Sequence, residues 1–193
     1  MRLEPAVLEN RFVRLEPMGE IHREALREAC DADQETWSAL YPYSMAGDHF
    51  NANWPRLYGA APGDRMNFAV MADGRCMGVS SYLAVDAANA SLEIGGTYYH
   101  PALRGGAVNP AAKRLLLAHA FEAGARRVQF KVDAINARSR AAVSKLGATQ
   151  EGVLRQDRVT WTGRIRDTVI FSILAAEWPA VRERLDARLA AFG

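Results

Sequence analysis

The stretch Arg104-Gly105-Gly106-Ala107-Val108-Asn109-Pro110-Ala111-Ala112-Lys113 constrains this chain more than any other. Two adjacent glycines let a backbone approach a partner with no side chain in the way. Asn109 is a favoured N-cap and Pro110 a favoured first helical residue, so the spacing predicts a helix over 110–125. A small-residue loop feeding a helix N-terminus brings free amides and the positive end of the helix dipole to one point, with Arg104 at its mouth. Such a point binds anions. The loop is not a nucleotide P-loop, because no Gly-Lys-Ser/Thr follows it. Nor is it a dinucleotide fingerprint, since the three-glycine spacing is missing and the loop follows a meander of strands.

The rest of the pattern surrounds this loop with a sheet. Residues 12–17 read as a strand, and 20–30 as a helix with Ile21, Ala25, Leu26 and Ala29 on one face. Residues 33–63 are less regular and rich in aromatics, with a short helix expected over 51–59; long segments of this kind often line sites. Residues 67–72 and 75–85 form a hairpin about Asp73-Gly74, a pair that favours the tight turn whose twist suits paired strands. Strand 91–99 carries Gly95-Gly96 in its interior, which marks a bulge or a close backbone approach. After the central helix come strand 127–133, with Val128, Phe130 and Val132 alternating, and helix 136–146, ended by Gly147. A closing hairpin (149–161 and 164–174) and a helical tail from 177 complete the order. The passage 91–133 suits a parallel strand–helix–strand connection within a mixed sheet.

Composition excludes several classes. At 193 residues and 49% hydrophobic, the chain fits one domain with a full core. Its 24 basic and 22 acidic residues leave a net charge of +2, too little for a dedicated nucleic-acid binder. Cys30 and Cys76 form no short motif, and His22, His49, His100 and His119 show no ligand spacing, so no metal site is expected. The N-terminal residues carry charges throughout, unlike a signal peptide, and no run of 18 apolar residues appears. The cytoplasm is the expected location, with no membrane partner.

Several motifs together resemble one family. They are Leu92-Glu93-Ile94-Gly95, the loop 104–109, Lys113, and His119-Ala120-Phe121-Glu122. To these add the run from Asp133-Ala134-Ile135-Asn136 to Gly147-Ala148, Glu151-Gly152, Arg166-Asp167-Thr168 and Glu177-Trp178. The combination is similar to the RimJ/RimL-like branch of the GNAT (GCN5-related) N-acetyltransferases. The match is carried by motifs over 90–180 and by element order before that.

The resemblance implies a single α/β domain, 1–193, of GNAT fold. Its mixed, mostly antiparallel sheet of about seven strands would be flanked by helices and split between the fourth and fifth strands. It implies acetyl-CoA as cofactor and acetyl transfer to a primary amine, either a protein N-terminus or a small molecule, by direct attack in a ternary complex. The diphosphate then falls to the amides of Gly105, Gly106, Ala107, Val108 and Asn109, with Arg104 as cationic partner. Pantetheine would pair like an added strand along the bulged strand, and an amide of Ile94, Gly95 or Gly96 would stabilise the oxyanion. Glu93 is the candidate base. Asn136 would orient the cofactor, with help from Ser139. Where many relatives carry a tyrosine acid, this chain has Val143, so Ser139, Tyr98 or a water would return the proton. Trp37, Tyr41 and Tyr98 are the candidate acceptor-binding residues. The family admits a homodimer, and the alternative function is a CoA-binding sensor or scaffold without turnover.

Overall fold

Runs of buried residues build the central strands, which are covered on both faces, and tight turns set the pairing. The computed structural model describes residues 1–58 and 65–192. In chain order the elements are β1 (Leu8–Asn10), β2 (Val13–Pro17), α1 (Arg23–Asp31), α2 (Gln34–Leu40), α3 (His49–Asn53), β3 (Arg65–Ala72) and β4 (Arg75–Asp86). They continue with β5 (Ser91–Tyr99), α4 (Val108–Glu122), β6 (Arg127–Asp133), α5 (Ala137–Leu146), β7 (Thr149–Val159), β8 (Ile165–Leu174) and α6 (Trp178–Ala190). One sheet of eight strands runs β1-β2-β3-β4-β5-β6-β8-β7. Every neighbouring pair is antiparallel except β5 and β6.

The eighth strand is β1. The Asn10 side chain accepts from the amides of Phe12 and Val13 at 3.0 and 3.2 Å, folding residues 8–10 back onto β2. At the β3–β4 turn, Asp73 (φ 51°) and Gly74 (φ 74°) both take positive φ, as the expected hairpin turn requires. The helix expected over 20–30 opens with a 3-10 turn, Glu20–His22, which leaves Ile21 87% exposed rather than on the buried face. The segment after 33 is more regular than its composition suggests. Asp33 caps α2 by accepting from the Thr36 amide at 3.1 Å. The helix expected over 51–59 is found as α3 running into a 3-10 turn, Trp54–Arg56, and residue 59 lies outside the described residues.

Two buried clusters flank the sheet. One face packs against α4 and α6, where Leu116, Leu117, Val181 and Leu185 meet Tyr82, Ile94, Val128 and Phe130. Each such aliphatic side chain removed from water contributes about 1.5–3 kcal/mol. The other face packs Leu26, Cys30, Trp37, Met45 and Phe50 against Ala69, Val79 and Tyr98.

The parallel pair positions the site. β5 and β6 are in register only over Ser91–Glu93 against Arg127–Gln129. β6 stays paired with β8 along its whole length. Beyond Glu93 and Gln129 the two parallel strands part, and their facing backbone groups are left without a ladder.

Candidate active site

The glycine loop lies beyond the far end of β5. Gly105 takes φ +82°, a conformation that favours glycine. Ala107 is already helical in its backbone (φ −72°, ψ −25°), and its carbonyl receives the first helical bond, from Ala111 N at 2.9 Å. The helix therefore begins at Val108, two residues before the expected start. Asn109 is not the N-cap: it sits inside the first turn, and the capping position, Ala107, has no side-chain cap. Pro110 falls at the third helical position, where its missing N–H would have lacked a helical partner anyway. Among the described residues, the amides of 105–109 donate no backbone hydrogen bond. The loop thus keeps the set of free donors read from the sequence, with a different helix start.

Arg104 does not stand free at the loop mouth. Its guanidinium is ion-paired with Asp33, its Nε donates to the Tyr99 carbonyl at 3.0 Å, and it lies 5.4 Å over the Tyr98 ring. It braces the loop base against the α2 cap. Burial pushes the Asp33 carboxyl up, but hydrogen bonds from Thr36 and Arg104 outweigh it and hold it below the usual carboxylate range.

Where β5 leaves β6 it also bulges. Ser81 pairs with Gly95 and Val79 with Tyr98, so Ser80 alone opposes Gly96 and Thr97. Gly96 carries the kink at φ +56°. Thr97 is held from both faces of the sheet. The Tyr41 hydroxyl donates to its carbonyl at 2.5 Å, and on the α4 face Lys113 Nζ donates to its Oγ1 at 2.7 Å.

Glu93 is the last residue of β5 in register with β6. It is 8% exposed, and Lys131 Nζ stands 3.5 Å from its Oε2. Burial raises its pKa; the nearby Lys131 charge only partly offsets that. Beyond Lys131 come charged side chains of β6, β8 and the turn that leads into β8. Asp133 pairs with Arg164 and lies 3.7 Å from Arg166.

The aromatic trio divides. Trp37 and Tyr98 are each 1% exposed and stack on one another at 4.6 Å. The Tyr98 hydroxyl donates to the Ala29 carbonyl at 2.8 Å. These two are core residues, not acceptor walls, and Tyr98 has no proton free for a reaction. Tyr41 is only partly buried. An unforeseen neighbour, Trp161, reaches over from the β7–β8 turn: its amide donates to the Pro42 carbonyl and its indole N–H to the Trp37 carbonyl, each at 3.2 Å. Across the splay, Asn136 caps α5 by accepting from the Ser139 amide at 2.9 Å, and Ser139 lies in the first turn of that helix, partly exposed. The two cysteines are buried and free. Burial raises both thiols, Cys76 to about 11, so neither is a ready thiolate.

A parallel strand pair that parts beside a bulge, with a helix N-terminus at its open end, is the arrangement expected of a GNAT-type fold. The comparisons agree. The model of the acetyltransferase (GNAT) domain matches residues 13–149, and the chain belongs to that family. It is an acyltransferase. A protein from T. thermophilus, provisionally assigned as an acetyltransferase, is 38% identical, with 98% of this chain and 100% of that one covered and a TM-score of 0.86. Mycobacterium smegmatis RimJ, solved in complex with CoA-disulfide, is 26% identical, with 95% of each chain covered and a TM-score of 0.83. RimL, the ribosomal L7/L12 alpha-N-protein acetyltransferase solved with coenzyme A, shares the fold at 16% identity, with 88% of this chain and 98% of that one covered and a TM-score of 0.77. The likeness to RimJ supports the RimJ/RimL-like branch, and RimL shares the fold. No curated protein matches the chain in sequence. Among the described residues, no helix is long and apolar enough to cross a membrane.

Proposed function

We propose that this chain is an acetyl-CoA-dependent N-acetyltransferase acting on a primary amine by direct attack in a ternary complex. One observation carries the reading: the Gly96 bulge stands where β5 and β6 part, with Glu93 at the vertex and the free amides of 105–109 at the open end. The donor set fits the cofactor. Backbone N–H groups at a helix start receive a diphosphate, and the unladdered edges of β5 and β6 receive an amide-bearing arm as an added strand. When bound, acetyl-CoA supplies an acyl carbon activated as a thioester.

The chain's residues do the rest. An amide among Ile94, Gly95 and Gly96 faces the carbonyl oxygen and stabilises the charge that gathers there. An acceptor amine reaches the site protonated, since ordinary amines titrate near ~8 to ~10.4. Glu93, buried and with its pKa raised, is suited to take that proton directly or through water. Asn136 orients the arm from the α5 side, and Ser139 or a water returns a proton to the departing thiolate. The buried, protonated cysteines leave no thiolate for a covalent acetyl-enzyme, which favours direct attack. Tyr41, the member of the trio with exposed surface, borders the acceptor side, with Trp161 packed on the same segment through Trp37 and Pro42.

The test is thiol release from acetyl-CoA with a panel of N-terminal peptides and small amines, run beside Glu93→Gln. Release with one acceptor class, lost in the variant, supports the reading. Full rate in the variant removes Glu93 as base. Val143 at the usual tyrosine position favours a second reading, a CoA-binding sensor. That reading requires tight CoA binding with no release on any amine.

A further inference from the structure

Lys113 is a costly residue for its position. It lies on α4, 6% exposed, in a cluster of alanines and leucines. Among the described residues its ammonium has two polar partners, Thr97 Oγ1 at 2.7 Å and Ser80 Oγ at 3.2 Å. Among the described residues no carboxylate pairs with it, and burial alone pushes its pKa down to about 7. Taking an amine out of water without a counter-charge disfavours folding. The two hydroxyls do not need it, because they lie 2.7 Å apart and satisfy each other. A methionine of similar length would fill the space without that cost. Stability therefore gives no reason for a lysine here.

Its place in the fold does give one. Ser80 is the single residue opposite the bulge, and Thr97 is one of the two residues that face it there. Gly96, next to Thr97, has no side chain to hold its own position and takes a left-handed φ. The kink must be fixed from outside. Tyr41 holds the Thr97 carbonyl from one face, and Lys113 with Ser80 holds the Thr97 hydroxyl from the other.

Building on the acetyltransferase reading, we propose that Lys113 is a positioning residue. By gripping the Thr97 side chain from the α4 face, it fixes the Gly96 bulge and aims the adjacent amides at the thioester oxygen. It touches neither cofactor nor acceptor. Its effect is specific to the acyl end of the cofactor and leaves the diphosphate site at 105–109 alone.

That specificity gives a readout independent of turnover. CoA and acetyl-CoA share every contact except those of the acetyl group, so the ratio of their dissociation constants reports the bulge's hold on the thioester. Calorimetric titration of the full-length wild type, Lys113→Met, Thr97→Val and the double variant with each ligand, beside thermal midpoints and acetyl-CoA turnover, tests the idea. The wild type should bind acetyl-CoA more tightly than CoA, by about tenfold for one well-aimed hydrogen bond. Lys113→Met should keep CoA affinity within about twofold, melt no lower than the wild type, and lose both the acetyl preference and most turnover. Thr97→Val should behave alike and serves if the lysine variant does not fold. The double variant should be no worse than either single one, because both changes cut one link. An unchanged acetyl preference in both single variants would overturn the inference. So would a joint fall of CoA affinity and thermal midpoint in Lys113→Met, which marks a merely structural lysine. A wild type that binds no CoA would instead sink the acetyltransferase reading itself.

Discussion

Glu93 Oε1 stands 2.5 Å from the point where a Cβ on Gly95 would lie. The carboxylate is folded over a bare stretch of β5, with Leu83 Cδ1 close by at 2.9 Å from the same point. Gly95 therefore makes room for the candidate base. Gly95→Ala should push the carboxylate and the leucine aside while leaving the loop at 105–109 in place. Acetyl transfer should fall at least tenfold with CoA affinity nearly intact, and steady-state kinetics beside calorimetry would check it. A variant with normal turnover would show that the position of this carboxylate does not matter.

The raised pKa of Glu93 has two consequences of definite sign. Deprotonation is needed for a base, so transfer should fall on the acid side with an apparent pKa above the ordinary carboxylate value of 4.5. In the folded chain Glu93 keeps its proton to higher pH than in the unfolded chain. Between those two pKa values the folded state holds more protons, so stability from this group is full below about 4.5 and is lost as pH rises through the folded value. Glu93→Gln should thus raise the thermal midpoint at pH 7 to 8 relative to wild type and leave it unchanged near pH 4. Melting curves across that range decide it.

The two loop glycines are not equivalent. Gly105 holds φ +82°, whereas Gly106 is not in the left-handed region, and neither has a neighbour within 4 Å of an added Cβ. Alanine at 105 should cost about 1–2 kcal/mol, the penalty of a left-handed L-residue. Alanine at 106 should be neutral, or stabilise by up to about 1 kcal/mol through the unfolded chain. Urea titrations of the two variants would separate them.

What the sequence disclosed follows local rules. Asp73-Gly74 and Gly147 act within a few residues of themselves, so turn and helix end were readable. The irregularity beside Gly95-Gly96 was readable because paired glycines weaken a strand interior; the bulge itself falls at Gly96 and Thr97. Other features depend on distant partners. Arg104 looked like a free cation because Asp33, its partner, lies 71 residues away. Asn109 looked like a cap, but the loop closes into helical torsions at Ala107, and that geometry overrides the residue's preference. Trp37 and Tyr98 looked available because their stacking is tertiary. Lys113, in an alanine-rich helix, gave no local sign that it points inward at two hydroxyls.

Lys113 also sets a stability profile opposite to that of Glu93. Its pKa is about 7 in the folded chain and near 10.5 when unfolded. Between those values the unfolded chain binds the extra proton, so stability rises with pH across that window. Below about pH 7 both states are protonated, and the burial penalty is felt in full. Among the described residues the ammonium meets only the Ser80 and Thr97 hydroxyls, and burial alone sets its shift. Lys113→Met removes the titration. The midpoint advantage of the variant over wild type should be greatest near pH 6 to 7 and shrink steadily toward pH 10. Paired thermal melts over that range measure it, and a difference that stays flat with pH would mean the ammonium carries its full charge in a solvated setting.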